Sequence, residues 1–279
     1  MIIPFQTLAC PLDGAALQRH GNIWKCAAGH CFDVAGQGYV NLLPVQNKRS
    51  RDPGDSKEMV AARRRFLDSG AYDPIAQAVS RHALLGLPSG ASVSCLDAGC
   101  GEGHYLRNLA LGAVAGMKLS LVGLDISKWA VQSAAKRDKQ TTWLVGSNAN
   151  LPIQSGTVDR LLCMFGFPVY PEFARVLRPG GQLLQVDAGS LHLRELREII
   201  YPSIKPERPG GNADPAAFER VASESLSYTL ALTDTAQIAD LLAMTPHLYR
   251  ASAEGLARAK ALTKLDVTVD VRLTRYVRV

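Results

Sequence analysis

A short apolar run that breaks into closely spaced glycines constrains the fold of this chain more than any other feature. Residues 93–103 have the sequence Val-Ser-Cys-Leu-Asp-Ala-Gly-Cys-Gly-Glu-Gly. Glycines two residues apart let the backbone turn tightly and approach a ligand, and a helix that follows presents free N–H groups to an anion. The run therefore predicts a β-strand that leads into a nucleotide-binding turn shaped by Asp97, Gly99, Gly101 and Gly103.

Two further features narrow the choice of nucleotide. A dinucleotide fingerprint needs its third glycine three residues after the second, and His104 stands in that position. A second apolar run ends in Asp125, and an acid at this place binds the ribose in both NAD and S-adenosylmethionine proteins. The glycine spacing is therefore a poor match to an NAD site, whereas the acid fits either cofactor.

Three more motifs follow in order, and they favour S-adenosylmethionine. The first is residues 146–152, where Ser147 and Asn148 are expected to flank the adenine. The others are Val158-Asp159 and residues 175–181, which precede another apolar strand. Together with the glycine turn, this order is typical of a class I methyltransferase rather than of an unrelated sheet.

The alternation of strand and helix patterns predicts an α/β, Rossmann-like fold with a mostly parallel, seven-stranded sheet. Helices are expected to begin at Ser56 and Asp73, and the tail is expected to add an antiparallel pair at the sheet edge. A Pro- and Gly-rich stretch over 201–220 is expected to form a mobile loop near the site. The predicted strands lie near 93–97, 119–125, 141–145, 158–165, 181–187, 225–232 and 267–273.

Length and composition set the broad class of the protein. The chain has 279 residues, 47% of them hydrophobic, which is enough for one sizeable core and a small appendage. Its first residues lack a secretion pattern and no apolar run is long enough to span a membrane, so we expect a cytoplasmic protein without a membrane partner. We divide it into a small module at 1–45, a basic linker with helices at 46–90 and a cofactor domain at 91–279.

The first module carries two spaced pairs of metal-ligand residues. Cys10 is followed by Asp13, and Cys26 is followed by His30, with twelve residues between the pairs. Two such knuckles resemble a small zinc site, although a carboxylate in place of a thiolate should lower the affinity for zinc. The alternative is that Asp13 caps a turn and the thiols are only buried. Cys31 is a possible substitute ligand.

Basic residues cluster before the glycine turn, and the net charge of the chain is +6. One cluster is Lys48, Arg49 and Arg51, and the other is Arg63 to Arg65. Such clusters suit a phosphate-rich partner, but a solvated linker and a solvated helix face explain the charge equally well.

From Cys10 to its last residue, the chain resembles the RlmA (RrmA) family of large-subunit ribosomal RNA guanine-N1 methyltransferases. The resemblance is densest at residues 26–32, 38–46 and 48–56, and the last two blocks are absent from class I methyltransferases in general. It implies a zinc-binding module that helps to hold an RNA hairpin, methylation of N1 of a guanine in the hairpin loop, and action as a homodimer.

The resemblance also implies roles for particular residues. The zinc ligands correspond to Cys10, Asp13, Cys26 and His30, where Asp13 departs from the family's cysteine. The contacts to S-adenosylmethionine correspond to Tyr72, Gly101, Glu102 and His192. The chain also departs from the family at residues 163–168, where polar and aromatic residues are expected beside the transferred methyl group.

Methylation at guanine N1 requires a base, because that nitrogen carries a proton at neutral pH. The candidate bases are Asp187, Asp159 and His192, and Phe165, Phe167 or Tyr170 are candidates to stack on the target base. Two other functions fit part of the sequence. One is a methyltransferase for a quinone or phenol, and the other is an RNA-binding protein that retains the fold without catalysis.

Overall fold

The protein was analysed as a computed structural model that describes residues 1–47, 50, 52–204 and 214–279. The basic residues Lys48, Arg49 and Arg51 lie outside the described residues. Residues 205–213 of the predicted mobile loop also lie outside them. The strands are β1 (Ile2–Ile3), β2 (Gln18–His20), β3 (Ile23–Lys25), β4 (Cys31–Asp33), β5 (Tyr39–Asn41), β6 (Ser92–Ala98), β7 (Lys118–Asp125), β8 (Thr142–Val145), β9 (Val158–Met164), β10 (Leu177–Ala188), β11 (Phe218–Leu232) and β12 (Leu265–Arg278). The α-helices are α1 (Lys57–Asp68), α2 (Asp73–Leu84), α3 (His104–Leu111), α4 (Lys128–Arg137), α5 (Tyr170–Val176), α6 (Arg194–Ile200), α7 (Thr235–Met244), α8 (His247–Arg250) and α9 (Ala253–Lys260).

A large, mostly parallel sheet forms the centre of the molecule, as the alternating pattern predicted. Its strand order is β11-β12-β10-β9-β6-β7-β8-β5, and β12 and β11 are antiparallel to their neighbours. The chain moves outward from β6 to β7 and β8 on one side, and then to β9 and β10 on the other. This reversal creates a switch point beside β6, which is where ligands bind in open α/β sheets.

The sheet has more strands than the seven predicted. Within the described residues it contains nine, because two strands from the first 45 residues join the predicted seven. β5 pairs in parallel with β8 at the edge, and β1 pairs in parallel with the start of β7. The start of the chain is therefore part of the large sheet, and the division at residue 45 remains a prediction.

A second sheet of three short strands, β2-β3-β4, lies beside the predicted metal ligands, since Cys26 directly follows β3 and His30 directly precedes β4. The apolar residues of this sheet and of the segment before it do not form a core of their own. Phe5, Leu8 and Trp24 are almost fully buried in a cluster that also contains residues of β6, β7 and β9. The small sheet is thus supported by one face of the large sheet, and the opposite face is covered by α1, α2 and α3.

The predicted helix starts are confirmed. The Ser56 hydroxyl accepts a hydrogen bond from the Met59 backbone N–H at 3.3 Å, which satisfies a donor at the start of α1. α2 begins at Asp73 with a proline in its first turn, where the missing N–H costs nothing. No helix among the described residues combines the length and apolar character needed to cross a bilayer.

Candidate active site and metal centre

The glycine turn lies at the carboxyl end of β6, beside the switch point of the sheet. Gly99, Gly101 and Gly103 have φ angles of 100°, 54° and 83°, in the left-handed region that glycine adopts readily. The backbone N–H groups of Gly99 and Cys100 both donate to the Leu124 carbonyl, at 2.8 and 2.9 Å. These bonds tie the turn to β7 and hold its shape.

Two glycines of the turn are needed for different reasons. A Cβ at Gly103 would overlap the indole ring of Trp143, which is buried against the turn. A Cβ at Gly99 would meet no described atom within 4 Å. The turn is therefore tightly packed at Gly103 and open at Gly99, where a ligand can approach the backbone.

Asp97, two residues before the turn, is completely buried. Among the described residues, neither of its carboxylate oxygens has a hydrogen-bond partner. Burial, together with the charge of nearby Asp125, raises the pKa of Asp97 to about 8. Because a buried carboxylate without a partner is unfavourable, this position fits a ligand that brings a hydrogen-bond donor or a positive charge.

Asp125 ends β7 next to the glycine turn, as predicted. Its Oδ2 accepts a hydrogen bond from the Gly101 N–H at 2.9 Å, and its Oδ1 accepts one from the Ser127 N–H at 2.8 Å. Burial raises the pKa of this carboxyl although both hydrogen bonds oppose the change. Two backbone donors thus hold the carboxylate in a fixed orientation, which suits recognition of a diol such as ribose.

Ser147 and Asn148 lie on the loop that follows β8. The Ser147 hydroxyl accepts a hydrogen bond from the Ala149 N–H at 3.2 Å. The Asn148 amide donates to the Ala98 carbonyl at 3.3 Å, while its Oδ1 is buried without a partner among the described residues. An unpaired amide oxygen is a ready acceptor for an exocyclic amine such as that of adenine.

Tyr72 and His192 meet across the site although 120 positions separate them in the chain. The Tyr72 hydroxyl lies 3.4 Å from His192 Nε2, and the His192 ring stacks on Phe165 with 5.8 Å between ring centroids. Burial raises the pKa of Tyr72, so its hydroxyl keeps its proton. These three rings form an aromatic wall, in which Phe165 has an uncommon positive φ of 52°.

The hydrogen bonds of His192 define its role. The backbone N–H of Asp270 donates to Nδ1 at 3.2 Å, and burial lowers the pKa of His192 to about 4. The imidazole is therefore neutral, and its single proton is on Nε2. In this state His192 is a hydrogen-bond donor and has no free lone pair with which to act as a base.

Glu102 makes contacts that the sequence did not indicate. Its buried carboxylate pairs with Arg107 at 2.8 Å and with Arg137 at 3.0 Å. Both oxygens are thus engaged by arginines, so the side chain fastens the turn to α3 and α4. The Glu102 carbonyl also accepts a hydrogen bond from Arg107, so Glu102 is held through both its side chain and its backbone.

The other two candidate bases lie at opposite ends of the sheet. Asp187 is at the carboxyl end of β10, where its Oδ2 accepts a hydrogen bond from the Gln185 amide at 2.8 Å. Asp159 is at the start of β9, where it pairs with Arg178 at 2.6 Å and accepts hydrogen bonds from Ser94. The hypothesis that Asp159 is a base is wrong, because the start of β9 is at the far end of the sheet from the glycine turn.

The candidate stacking residues differ in exposure. Phe167 is 88% exposed and Phe165 is 39% exposed, whereas the Tyr170 hydroxyl donates to Gln185 Oε1 at 2.9 Å. Gln185 in turn donates to Asp187. Tyr170 is thus part of the support of Asp187, and the two phenylalanines are the side chains available to a flat ring.

Arg63 is a residue near the site whose position the sequence did not reveal. Its guanidinium pairs with Asp55 at 2.7 Å, donates to the Met244 carbonyl at 2.9 Å and lies 3.5 Å from the place of a Cβ at Gly101. Arg65 pairs with Asp240, and Arg64 is exposed. The basic cluster at 63–65 is therefore only partly a solvated helix face. No local sequence pattern shows which of its three arginines lies next to the glycine turn.

A cavity of about 750 Å³ opens beside the end of β10. It is lined by residues 188–191 and by α6, including Arg194 and Arg197. Arg197 donates to the Ser190 and His192 carbonyls at 2.9 and 3.3 Å, so it holds the loop that carries His192. The cavity therefore lies next to the carboxyl end of β10, where Asp187 is found.

The four predicted metal ligands come together at the end of the small sheet, in the segment before β2 and in the turn between β3 and β4. Their ligand atoms all lie within 4.8 Å of one another. His30 Nδ1 is 3.0 Å from Asp13 Oδ2, 3.4 Å from Cys26 Sγ and 3.5 Å from Cys10 Sγ. Cys31 lies outside this cluster, since its thiol donates to the Gly29 carbonyl.

The residues of the cluster fit a zinc ion. Zinc bonds of about 2.0–2.3 Å at tetrahedral angles bring ligand atoms roughly 3.2–3.8 Å from one another. Two thiols, one imidazole and one carboxylate supply four donors that zinc accepts. Asp13 does cap a turn, because its Oδ1 accepts the Ala15 N–H at 2.9 Å, but Oδ2 remains directed at the cluster. The capping role of Asp13 therefore does not prevent it from acting as a ligand.

Comparison with known families gives two separate matches. A family model for the RlmA N-terminal zinc ribbon matches residues 8–51. A model for a methyltransferase domain matches residues 95–181. The first contains the metal cluster, and the second contains the glycine turn, Asp125 and the loop after β8.

Curated relatives extend the similarity to nearly the whole chain. A 23S rRNA (guanine(748)-N(1))-methyltransferase of Streptomyces fradiae is 35% identical and covers 96% of this chain and 95% of its own length. A putative 23S rRNA (guanine-N(1)-)-methyltransferase of Bacillus subtilis is 32% identical, with 96% coverage of each. By contrast, a demethylmenaquinone methyltransferase of Bacillus licheniformis is 27% identical over 42% of this chain.

Proposed function

This chain belongs to the family of 23S rRNA (guanine-N1)-methyltransferases that begin with an RlmA zinc ribbon, and we propose its function from that premise. The protein transfers a methyl group from S-adenosylmethionine to N1 of a guanine in a hairpin loop of large-subunit ribosomal RNA. The observation that carries this proposal is similarity over 96% of the chain, zinc ribbon included. The quinone alternative has support over less than half of the chain.

The residues around the glycine turn fit S-adenosylmethionine. The buried, unpartnered carboxylate of Asp97 would receive the methionyl ammonium, and Asp125 would bind the ribose hydroxyls. Ser147 and Asn148 would flank the adenine, with Asn148 Oδ1 as an acceptor. Gly99, Gly101, Gly103 and the Glu102 backbone would line the turn, and Tyr72 and His192 would close one side. When bound, the cofactor supplies an electrophilic methyl group on its sulfonium.

Asp187 is the base of this proposal, since Asp159 is remote and His192 has no free lone pair. It would take the N1 proton of the guanine as the new bond to carbon forms. Burial raises the pKa of Asp187, which makes its carboxylate a stronger base than an exposed one. The chain Tyr170–Gln185–Asp187 fixes the orientation of the carboxylate.

Asp187 can be separated from its alternatives by variants of similar size. Asp187→Asn should lower kcat by roughly 10²–10⁴, the usual contribution of a general base, with unchanged affinity for S-adenosylhomocysteine. Asp159→Asn is the matched control and should keep kcat. Full activity of Asp187→Asn would eliminate this base.

The target guanine must leave its stack to reach the site. Phe165 and Phe167 are the exposed aromatic rings beside the end of β9, and they would stack on the base. The basic block at Lys48, Arg49 and Arg51 and the zinc module would contact the phosphates and hold the hairpin. The protein would act as a homodimer in the cytoplasm, where its ribosomal substrate is made.

A transfer assay tests the function directly. The protein is incubated with S-adenosylmethionine labelled at the methyl group, protein-free ribosomal RNA and a lipid extract. We expect the label in RNA, and digestion to nucleosides should give N1-methylguanosine. Label in the lipid fraction would indicate the quinone or phenol alternative. Label in neither fraction, with the cofactor bound, would indicate an RNA-binding protein without catalysis.

A further inference from the structure

The loop that follows β8, residues 146–155, carries Ser147 and Asn148, and we call it the adenine loop. Four hydrogen bonds join it to the segment at 7–11, which contains the first metal ligand, Cys10. They run from the Ala9 N–H to the Pro152 carbonyl at 2.9 Å, from the Gln154 N–H to the Thr7 carbonyl at 2.9 Å, from the Gln154 amide to the Leu8 carbonyl at 3.1 Å and from the Asn150 amide to the Pro11 carbonyl at 3.3 Å.

Two of these hydrogen bonds involve the residues on either side of Cys10. Ala9 and Pro11 are the two neighbours of Cys10, and both contact the adenine loop. Leu8 and Ile153, which form a β-bridge between the two segments, are both completely buried. The position of Cys10 and the position of the adenine loop are therefore mechanically linked.

The metal module also holds the strand that leads into the adenine loop. β5 pairs with β8 from Tyr39 to Asn41, and the Leu42 N–H donates to the Val145 carbonyl at 2.8 Å. The adenine loop starts one residue later, at Gly146. The module thus contacts the loop at its beginning and again at 150–154.

A second support for the adenine loop does not involve the module. Glu172 of α5 accepts the Leu151 N–H at 2.7 Å, and Arg175 donates to the Leu151 and Ile153 carbonyls. The loop should therefore stay folded when the module is disturbed, but with more freedom around residues 147–150.

We propose that a metal ion in the cluster of Cys10, Asp13, Cys26 and His30 positions the adenine loop, so that affinity for the cofactor depends on metal occupancy. The ion would cross-link the segment at 10–13 to β3 and β4, which have no separate core to hold them. Without the cross-link the segment at 7–13 gains freedom, and binding of the adenine must then order it. The proposal rests on the placement of adenine beside Ser147 and Asn148 in the proposed function.

Calorimetric titration of the full chain with S-adenosylhomocysteine tests the dependence on metal. The zinc-loaded protein is compared with protein from which a chelator has removed the zinc, with metal content measured and folding checked by circular dichroism. We expect affinity to fall about three- to tenfold on removal and to return when zinc is restored. Unchanged affinity in folded, zinc-free protein would overturn the proposal.

Asn150→Ala tests the same link with the metal in place. The Asn150 side chain contacts the module through Pro11 and is neither a metal ligand nor one of the proposed cofactor contacts. We expect the variant to keep its zinc, to bind S-adenosylhomocysteine more weakly, and to lose less affinity on chelation than the unchanged chain does. Asn22→Ala is the matched control, because Asn22 is an exposed asparagine of the module at 1–45 and its replacement should leave affinity unchanged.

Asn150→Ala also tests the proposal if removal of zinc by the chelator unfolds the chain. Full affinity of zinc-loaded Asn150→Ala would then overturn the proposal. Failure of the proposed function has a different signature. If Asn148→Ala keeps full affinity while Asp125→Ala loses it, the adenine placement is wrong and this inference falls with it.

Discussion

The glycine turn and the metal cluster both contain acidic groups that we propose bind a ligand, but they hold those groups by opposite means. The turn lies against the core of the large sheet, where Leu96, Leu106 and Trp143 are at most 1% exposed. In that setting Asp97 remains fixed without any partner among the described residues. The metal cluster lies in the turns beside three strands of three residues each, and its ligand atoms all lie within 4.8 Å of one another.

This difference shows what a large core provides. A densely packed core can keep an unfavourable, unpaired carboxylate in position before a ligand arrives, because moving it would disrupt many contacts. A small sheet has too few buried contacts for this, and the proposed ion would add the missing cross-links. Loss of ligand should therefore leave the glycine turn folded but should loosen the metal module.

The largest expected effect concerns Asp125 at the cofactor end. Asp125→Ala removes the ribose acceptor and leaves the Gly101 and Ser127 N–H groups without their partner. We expect affinity for S-adenosylhomocysteine to fall at least about 100-fold, or roughly 3 kcal/mol, since hydrogen bonds to charged groups are worth about 1.5–3 kcal/mol each. Calorimetry measures the affinity, and zinc content should not change. Near-normal binding would refute the assignment of Asp125.

The second effect separates packing from ligand access within the turn. Gly103→Ala forces a Cβ into Trp143 at a positive φ, so the free energy of unfolding should fall by about 2–4 kcal/mol. In Gly99→Ala the new Cβ meets no described atom, so the free energy of unfolding should fall by only about 1 kcal/mol, because of the positive φ. This variant should nevertheless bind S-adenosylhomocysteine more weakly. Urea unfolding compares the two variants. An equal loss of stability in both would contradict the distinction between a packed and an open glycine.

The third effect tests Asp13, the carboxylate among the four residues of the metal cluster. Asp13→Cys replaces a carboxylate by a thiolate, which zinc binds more strongly, so the protein should retain zinc about tenfold more tightly or better. Competition with a chromophoric chelator measures the change, and Asp13→Ala provides a control that lacks the ligand. Weaker zinc binding by Asp13→Cys would show that the site is shaped specifically around a carboxylate.

The smallest effect is a pH dependence at Asp97. Its pKa of about 8 in the folded protein is above the value of an unfolded carboxyl, so folding takes up a proton and stability falls as pH rises towards 8. Binding of an ammonium group requires the ionised form, so affinity for S-adenosylhomocysteine should rise about fivefold between pH 7 and pH 8. Calorimetry at several pH values measures the slope. Asp97→Asn should abolish it, and a wild-type affinity that does not change with pH would exclude this role.

Much of the fold followed from local patterns. The strands at β6, β7, β8, β9 and β10 agree with the predicted positions, because alternating apolar runs and glycine turns are properties of neighbouring residues. Ser56 as the start of α1 was equally local. The spacing of two residue pairs also predicted the four members of the metal cluster, and the structure brings their ligand atoms within 4.8 Å of one another.

Contacts between distant segments had no such signal. The pairing of β5 with β8, the two arginines on Glu102 and the position of Arg63 depend on how helices and strands pack together. The three candidate bases looked alike in the sequence, and the sheet separated them by placing Asp159 at its opposite end.

The sequence by itself therefore determined which residues can form a cofactor turn and a metal knuckle, because spacing along the chain decides what one turn can hold. Only the tertiary structure decided which side chains share a site and in what protonation state. His192 illustrates the reason: its neutral form and its tautomer arise from burial and from the Asp270 N–H, which lies 78 positions away.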